Sequence, residues 1–391
     1  MQKLLVFDSH PVQYRVPIWR MIEHEIPGGI DVAYASDCSV RGHLDREFGK
    51  NIAWDDPMLE GYGFKILHAE KGEPLSGPES LTGKGVTETL DEIQPSAVLL
   101  TGLNYRFDRI AYREARKRNI PVWLRCETQD EAVKRSFFKS IIRSAVYRFA
   151  YRGFSKIFYI GELNRKHYLR HGVDAMKLVA ARYCTVDRFA GMSALQKQKL
   201  REHARKNAGF AEDALLIGFS GKLIPKKNPG ILFETLKFIP ADVRSKVGIY
   251  LIGSGELESS LKDAAQFAET QYGIKTYFTG FVNQSSLPAH YLAVDILVLP
   301  SRRMGETWGL VANEGMQAGC SMIVSDAVGC YADFSNLERF RVFREGDEKG
   351  LSEKINELSK FKRSFEWAQH DLKNYTVEVT AQAITQALKK N

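Results

Sequence analysis

At 391 residues and 44% hydrophobic content, the chain is long enough to bury more than one core, and two domains are the natural expectation. The five cysteines (Cys38, Cys126, Cys184, Cys320, Cys330) are odd in number, scattered and without metal-ligand spacing, which argues against a disulfide scaffold or zinc site and for buried thiols in a reduced, cytoplasmic setting. No apolar run approaches the length of a membrane span, and Met1-Gln-Lys-Leu-Leu-Val-Phe-Asp8 reads as direct entry into a strand rather than a leader, so a soluble protein is expected.

In chain order, strands are predicted at Leu4–Asp8, Ile30–Ala35, Ala97–Thr101, Pro121–Arg125, Lys156–Ile160 and Leu178–Ala180, alternating with helical runs near 16–25, 85–93, 107–118, 131–152 and 162–171. Strand-helix alternation of this kind argues for an α/β fold with a doubly wound parallel sheet. The stretch from Asp37 to Gly85 interrupts it; rich in Gly and Pro and holding Trp54, it reads as an irregular flap over a site. Within it the adjacent Asp55 and Asp56 read as surface or capping residues.

The formal charge of +8 is unevenly placed. From Arg106 to Arg152 there are thirteen Lys/Arg against five Asp/Glu, a surplus equal to that of the whole chain. Here Val133, Phe137, Phe138, Ile141, Ile142, Ala145, Val146 and Phe149 recur at helical spacing, with Lys134, Arg135, Lys139, Arg143, Arg148 and Arg152 between them. The favoured expectation is a core-facing helix with a solvated basic face; peripheral contact with an anionic membrane is the alternative. No zinc spacing, RNA-binding aromatic signature or helix-turn-helix pattern accompanies the charge, so nucleic acid is not expected as a partner.

The polar segment Asp187 to Asp213 reads as the passage between domains. A second series follows, with strands at Leu215–Ser220, Val247–Ile252, Lys275–Thr279, Asp295–Leu299 and Ser321–Ser325 and helices at 228–238, 256–271, 285–292, 310–318 and 348–360. Two such sheets in tandem place a ligand in the cleft between them, outside the carboxyl ends of their strands.

Four strand ends of the second half carry the chemistry. After Leu215–Ser220, Gly221 lets backbone approach a ligand, while Lys222 and Lys227 supply charge suited to a diphosphate. Gly253-Ser254-Gly255 turns into a helix, and Gly280-Phe281-Val282 offers backbone to a base edge. After Asp295–Leu299, the run Ser301 to Glu314 reads as a polar loop leading into a helix start, a favourable place for phosphate. If residues 306 to 314 were one helix, Glu306 and Glu314 would stand roughly 12 Å apart at about 1.5 Å per residue. That is too far for a glycosidase pair at about 5–5.5 Å, and it suits acceptors for hydroxyls at two ends of a long ligand.

Taken in order, GKLIPKKN, LIGSGEL, FTGFVNQSSLPAHY, VDILVLPS and ETWGLVANEGMQAG resemble the C-terminal half of family 4 glycosyltransferases of the GT-B fold, over about residues 214 to 330. SHPVQYRVPIW at 9–19 and WDDPMLEGY at 54–62 resemble bacterial envelope-polysaccharide members. The resemblance implies two Rossmann-like domains facing a central cleft. An acceptor-binding domain would span 1–190, a nucleotide-sugar domain 191–365, and a final helix within 366–391 would cross back to the first. It implies a retaining, hexosyltransferase-type transfer from a nucleotide diphosphate sugar to a glycan or lipid-linked acceptor. Lipopolysaccharide or capsule synthesis at the inner face of the cell membrane is the implied setting.

Residue by residue, the resemblance implies that Lys222, standing where the family has arginine, and Lys227 neutralise the diphosphate. Glu306 would face the transferred sugar and Glu314 the ribose. Backbone at Thr307, Trp308, Gly309 and Leu310 would meet sugar and phosphate, and backbone near Phe281 and Val282 the base. His10, Asn104, Arg125 and Glu127, at strand ends of the first half, are acceptor-side candidates, although Arg125 and Glu127 equally suit a mutual ion pair. The chain contains no Asp-x-Asp, so transfer without a metal or other cofactor is expected. A GT-B nucleotide-sugar epimerase and a non-catalytic nucleotide-sugar-binding protein remain the alternatives.

Overall fold

The computed structural model describes residues 2–40, 43–45, 50–52, 55–67 and 77–391. The first half forms strands β1 (Leu4–Asp8), β2 (Ile30–Tyr34), β3 (His43–Asp45), β4 (Lys50–Ile52), β5 (Gly63–Ile66), β6 (Ala97–Leu100), β7 (Val122–Leu124), β8 (Lys156–Tyr159) and β9 (Leu178–Ala180). The second forms β10 (Leu215–Ser220), β11 (Val247–Ile252), β12 (Thr276–Phe278), β13 (Ile296–Leu299), β14 (Ser321–Ser325) and β15 (Phe340–Phe343).

Short apolar runs such as Leu4-Leu-Val-Phe and Ile296-Leu-Val-Leu299 are buried along their whole length, as expected of parallel strands covered on both faces. They build two parallel sheets, ordered β5-β2-β1-β6-β7-β8-β9 and β12-β11-β10-β13-β14-β15. In each, the order reverses beside the first strand: β1 lies between β2 and β6, and β10 between β11 and β13. Crevices outside the strand ends at such reversals are where open α/β sheets receive ligands.

The irregular stretch is more ordered than its composition suggests. β3 and β4 pair antiparallel, and β5 joins the edge of the first sheet beside β2. Trp54 lies outside the described residues.

Asp187 to Asp213 lies between the last strand of the first sheet and the first strand of the second, and much of it is ordered as a helix. Ser193 and Gln196 form a capping box that starts the helix Ala194–Asn207, and Arg201 and Arg205 from it are buried against Asp295. Both guanidiniums also donate to the carbonyl of Ala293. The charged run thus clamps the helix to the entry of β13. The last helix, Val377–Lys389, crosses to the first sheet and buries Ala381, Ile384 and Leu388 among Val16, Trp19 and Ile22.

The basic helix departs furthest from expectation. It runs Phe137–Ala150 and buries none of its residues, so it does not face the core. Its inward side is polar: Arg143 pairs with Asp130, Ser144 Oγ lies 3.1 Å from His171 Nδ1, and Tyr147 stacks on Tyr151 with centroids 5.2 Å apart. All five cysteines are buried and unpaired. Among the described residues, no helix is long and apolar enough to cross a membrane.

Candidate active site

A cavity of about 280 Å³ opens between the carboxyl ends of the two sheets. Gln13 and Tyr14, after β1, form one wall with Asp56. Gly221 and Lys227 after β10, Gly253 after β11, Phe281 and Val282 after β12, and Glu306, Gly309, Leu310 and Glu314 after β13 form the other. Nine of the residues singled out in the second half therefore converge on one space.

Lys227 and Glu306 meet at the reversal between β10 and β13. The Lys227 ammonium pairs with Glu306 Oε2, which also accepts from Ser301 Oγ at 3.1 Å. Burial works against ionisation of Glu306, only 9% exposed, yet Lys227 and the more distant Lys226 hold its carboxyl below the usual glutamate range. Glu314 is the opposite case. Burial raises its pKa, with partial relief from Tyr291, whose hydroxyl donates to Oε2 at 2.6 Å, and from the charge of Arg188. Two glutamates of one loop-helix motif thus differ in proton affinity because only one has a cation beside it.

Glycine is required where strand ends crowd the cavity. Gly253 has φ +131°, its N–H donates to Gly280 O at 3.0 Å, and a Cβ built on it would stand 2.0 Å from Gly221 O. Gly309 has φ +96°, and a Cβ there would stand 2.6 Å from Val328. Residues 306 to 314 are not one helix: the helix is Val311–Gln317, and the two glycines at 305 and 309, both at positive φ, keep the preceding stretch irregular. The spacing argument built on a continuous helix therefore fails, although both carboxylates reach the same cavity.

Other predicted residues stand apart from it. Lys222 and Thr307 do not line the cavity. The Trp308 side chain is a core group, donating from Nε1 to Asn313 at 2.9 Å and packing on Phe334 and Tyr375. Arg125 does not pair with Glu127; it donates to Ala181 O at 3.2 Å and lies over the Tyr183 ring, a structural role across the sheet edge. Glu127 instead accepts from Tyr14 at 3.1 Å and from Thr307 at 3.5 Å, joining the two halves beside the cavity. His10 is half-buried with Nδ1 3.0 Å from Ser9 Oγ, Asn104 is exposed, and neither lines the cavity.

Several groups in or beside the cavity lie inside the resembling motifs without standing out from them by residue type. Asp55 is a surface residue that accepts from the Ser285 hydroxyl and from its N–H at 3.2 Å, whereas Asp56 is half-buried and pairs with Arg188. They tie a first-half loop to the opposite wall. Tyr14 is half-buried, and loss of solvent at its phenol, with the charge of Glu127 beside it, pushes the phenol up to about 12. Tyr291, the last residue of FTGFVNQSSLPAHY, lines the cavity and donates to Glu314.

Residues 200–376 match the family of glycosyl transferases group 1. That region holds the whole second wall of the cavity. A D-inositol 3-phosphate glycosyltransferase of Geodermatophilus obscurus is 32% identical over 136 residues, 33% of this chain and 29% of that protein. The capsular polysaccharide biosynthesis glycosyltransferase CapM of Staphylococcus aureus is 24% identical over 194 residues, 49% of this chain and 50% of its own. The chain therefore spans half or less of the length of these relatives. The fold matches Anabaena HepE, solved in complex with UDP, at TM-score 0.70 and 15% identity over all of both chains. The architecture is GT-B, with two Rossmann-like domains, and the match in its second half supports a glycosyltransferase.

Proposed function

We propose that the chain is a retaining, hexosyltransferase-type glycosyltransferase of family 4, moving a sugar from a nucleotide diphosphate to a glycan or lipid-linked acceptor in cell-envelope polysaccharide synthesis. The observation that carries this reading is the convergence of Lys227, Glu306 and Glu314 on one interdomain cavity, inside the region that matches glycosyl transferases group 1.

In this reading the donor lies along the strand ends of the second sheet. The base meets backbone at Phe281 and Val282, the ribose hydroxyls donate to Glu314, the diphosphate meets Lys227, and the sugar turns toward Glu306. Cleaving the sugar–phosphate bond builds negative charge on the diphosphate, and a positioned ammonium in a cleft that excludes water stabilises it.

The cavity carboxylates are already engaged: Asp56 with Arg188, Glu306 with Lys227, Glu314 with Tyr291. Glu306, its pKa depressed, is a weak base. As the family resemblance implies, the leaving phosphate would take the acceptor's proton on the face it departs from, so that configuration is retained without an enzymic nucleophile. The sequence holds no Asp-x-Asp of the kind that clamps a divalent ion, which supports metal-independent transfer. Asp130, His167 and His171, the described group with metal-ligand spacing, does not line the cavity, and its carboxylate is shared with Arg143 and Arg170.

The test is donor turnover. Nucleotide sugars are screened by thermal shift, since a ligand of the folded form raises apparent stability. The stabilising donor is then incubated with acceptor in chelator. Free nucleotide diphosphate with a glycosylated product is expected; an epimerised sugar, or binding with no turnover, would refute transfer, and strict dependence on added Mn²⁺ or Mg²⁺ would refute metal independence.

A further inference from the structure

The helix Phe137–Ala150 is turned inside out. At about 100° of rotation per residue, Arg143, Ser144 and Tyr147 share the side facing the protein, while Phe138, Ile141, Ile142, Ala145 and Phe149 share the opposite side. The inward side is tethered through Arg143 to Asp130 and through Ser144 to His171. Asp130 also takes His167 Nδ1 at 2.8 Å and Arg170 at 3.1 Å, so the tether is a closed polar network rather than a surface that could roll over. The outward side is apolar and bare: Phe137 is 74% exposed, Phe138 77% and Phe149 78%, with Ile141, Ile142 and Val146 also exposed.

Large apolar groups clustered on the outside of an ordered helix mark an interaction site. The charge around them says with what. Residues 132–161 contain seven Lys/Arg and no Asp/Glu. Lys134, Arg135 and Lys139 are exposed at the start of the helix and Arg148 and Arg152 near its end, so cations flank the apolar stripe. Aromatic and aliphatic groups bordered by Lys and Arg fit a headgroup layer of negative charge over hydrocarbon.

We propose that this helix docks the protein on an anionic lipid bilayer, with Phe137, Phe138, Ile141, Ile142 and Phe149 entering the acyl boundary and the flanking cations meeting lipid phosphates. The patch continues to the cavity rim. Val133 bridges to Met304, Gly305 N–H donates to Ala132 O at 2.9 Å, and both Val133 and Met304 are exposed. The segment preceding the docking helix is therefore bonded to the loop that carries Glu306. Docking brings that loop to the membrane surface, where a lipid-linked acceptor would be presented; this consequence rests on the transferase reading, and the docking itself does not.

The experiment is cosedimentation of the full chain with vesicles of phosphatidylcholine alone or mixed with phosphatidylglycerol, at low and high salt. Three proteins are compared: the parent; a variant with Phe137→Ser, Phe138→Ser, Ile141→Ser and Ile142→Ser; and one with Lys134→Gln, Arg135→Gln and Lys139→Gln. The parent is expected to bind the anionic vesicles, to release in salt and to leave neutral vesicles largely free. Three neutralised cations should weaken binding about a hundredfold, at roughly fivefold each, and the serine variant should lose binding at any salt. All substituted side chains are exposed, so thermal midpoints should match the parent.

No binding by the parent, equal binding to neutral vesicles, or unchanged binding by either variant overturns the proposal. So does a concentration-dependent dimer of the parent, in sedimentation equilibrium, that the serine substitutions abolish. The assay reads binding and not turnover, so its failure leaves the proposed function standing.

Discussion

Replacing Lys227 with methionine keeps the side chain's length and removes its charge from beside Glu306. In the parent, Lys227 holds the buried Glu306 carboxyl below the usual glutamate range, so the pair stabilises the fold above the unfolded glutamate pKa and is lost as pH falls through the depressed value. Without Lys227, burial is opposed only by the more distant Lys226 and the Ser301 hydroxyl, and the sign is expected to reverse: the folded pKa rises, and stability declines as pH increases through it. The penalty is bounded, because the carboxyl can protonate. Holding a glutamate of ordinary pKa neutral at pH 7 costs roughly 3–4 kcal/mol. With both groups partly reached by solvent, a loss of about 1–3 kcal/mol is expected. Urea unfolding of the parent, Lys227→Met, Glu306→Gln and the double variant, from acidic to neutral pH, measures it. The double variant should recover most of the loss, since no unpaired charge remains. Turnover should fall about a hundredfold or more in Lys227→Met, the scale of one lost transition-state cation. A Lys227→Met profile parallel to the parent's, with unchanged turnover, would show that the pair is neither electrostatically coupled nor part of the site.

Glu314→Gln should act in the opposite sense on stability. The parent carboxyl has a raised pKa, so its folded state loses stability as pH rises through that value, and the neutral amide removes this slope in pH-dependent melting. The same change should weaken nucleotide-sugar binding about 10–100-fold by loss of a charged acceptor, read by calorimetry; equal affinity would remove Glu314 from the ribose. Gly253→Ala should destabilise by more than about 2 kcal/mol, because the residue sits at positive φ with Gly221 O in the way; a parent-like melting temperature would contradict the crowding. Asp55→Ala with Asp56→Ala should change stability by less than about 1 kcal/mol, as both pairs are solvent-reached, yet speed proteolysis of the 55–60 loop, and an unchanged cleavage rate would deny the clasp.

Elements whose burial is set by continuous apolar runs were legible in the sequence. Leu4–Asp8, Leu215–Ser220, Val247–Ile252 and Ser321–Ser325 need no information beyond their own residues, because a parallel strand buried on both faces carries its signal locally. What escaped depends on partners distant in sequence. The helix Ala194–Asn207 reads as a charged linker until Asp295, ninety positions on, is known to receive two of its arginines. β5 and β15 are edge strands of four residues without clean apolar alternation, half-buried or exposed in β5 and buried only at Phe340 and Phe343 in β15, so neither stands out from the loops around it.

The site divides along the same line, and the basic helix shows why. Periodicity in Phe137–Ala150 reports that one face is apolar; it does not report which way that face points. The direction is decided by Asp130 and the two histidines of the neighbouring helix, which capture Arg143 and Ser144 and so turn the stripe outward. In the cavity, Lys227 and Glu306 were legible because each follows a strand at the sheet's reversal, where topology alone brings strand ends together. Arg125 had the same placement after β7 but is consumed by carbonyls at 181 and 182, since β7 lies two strands from the reversal and its end faces the crossing segment rather than the cavity. Position relative to the reversal thus separates Lys227 from Arg125, but it does not separate Lys227 from Lys222, which follows the same strand and does not line the cavity; there the turn after β10 decides which lysine reaches the cleft.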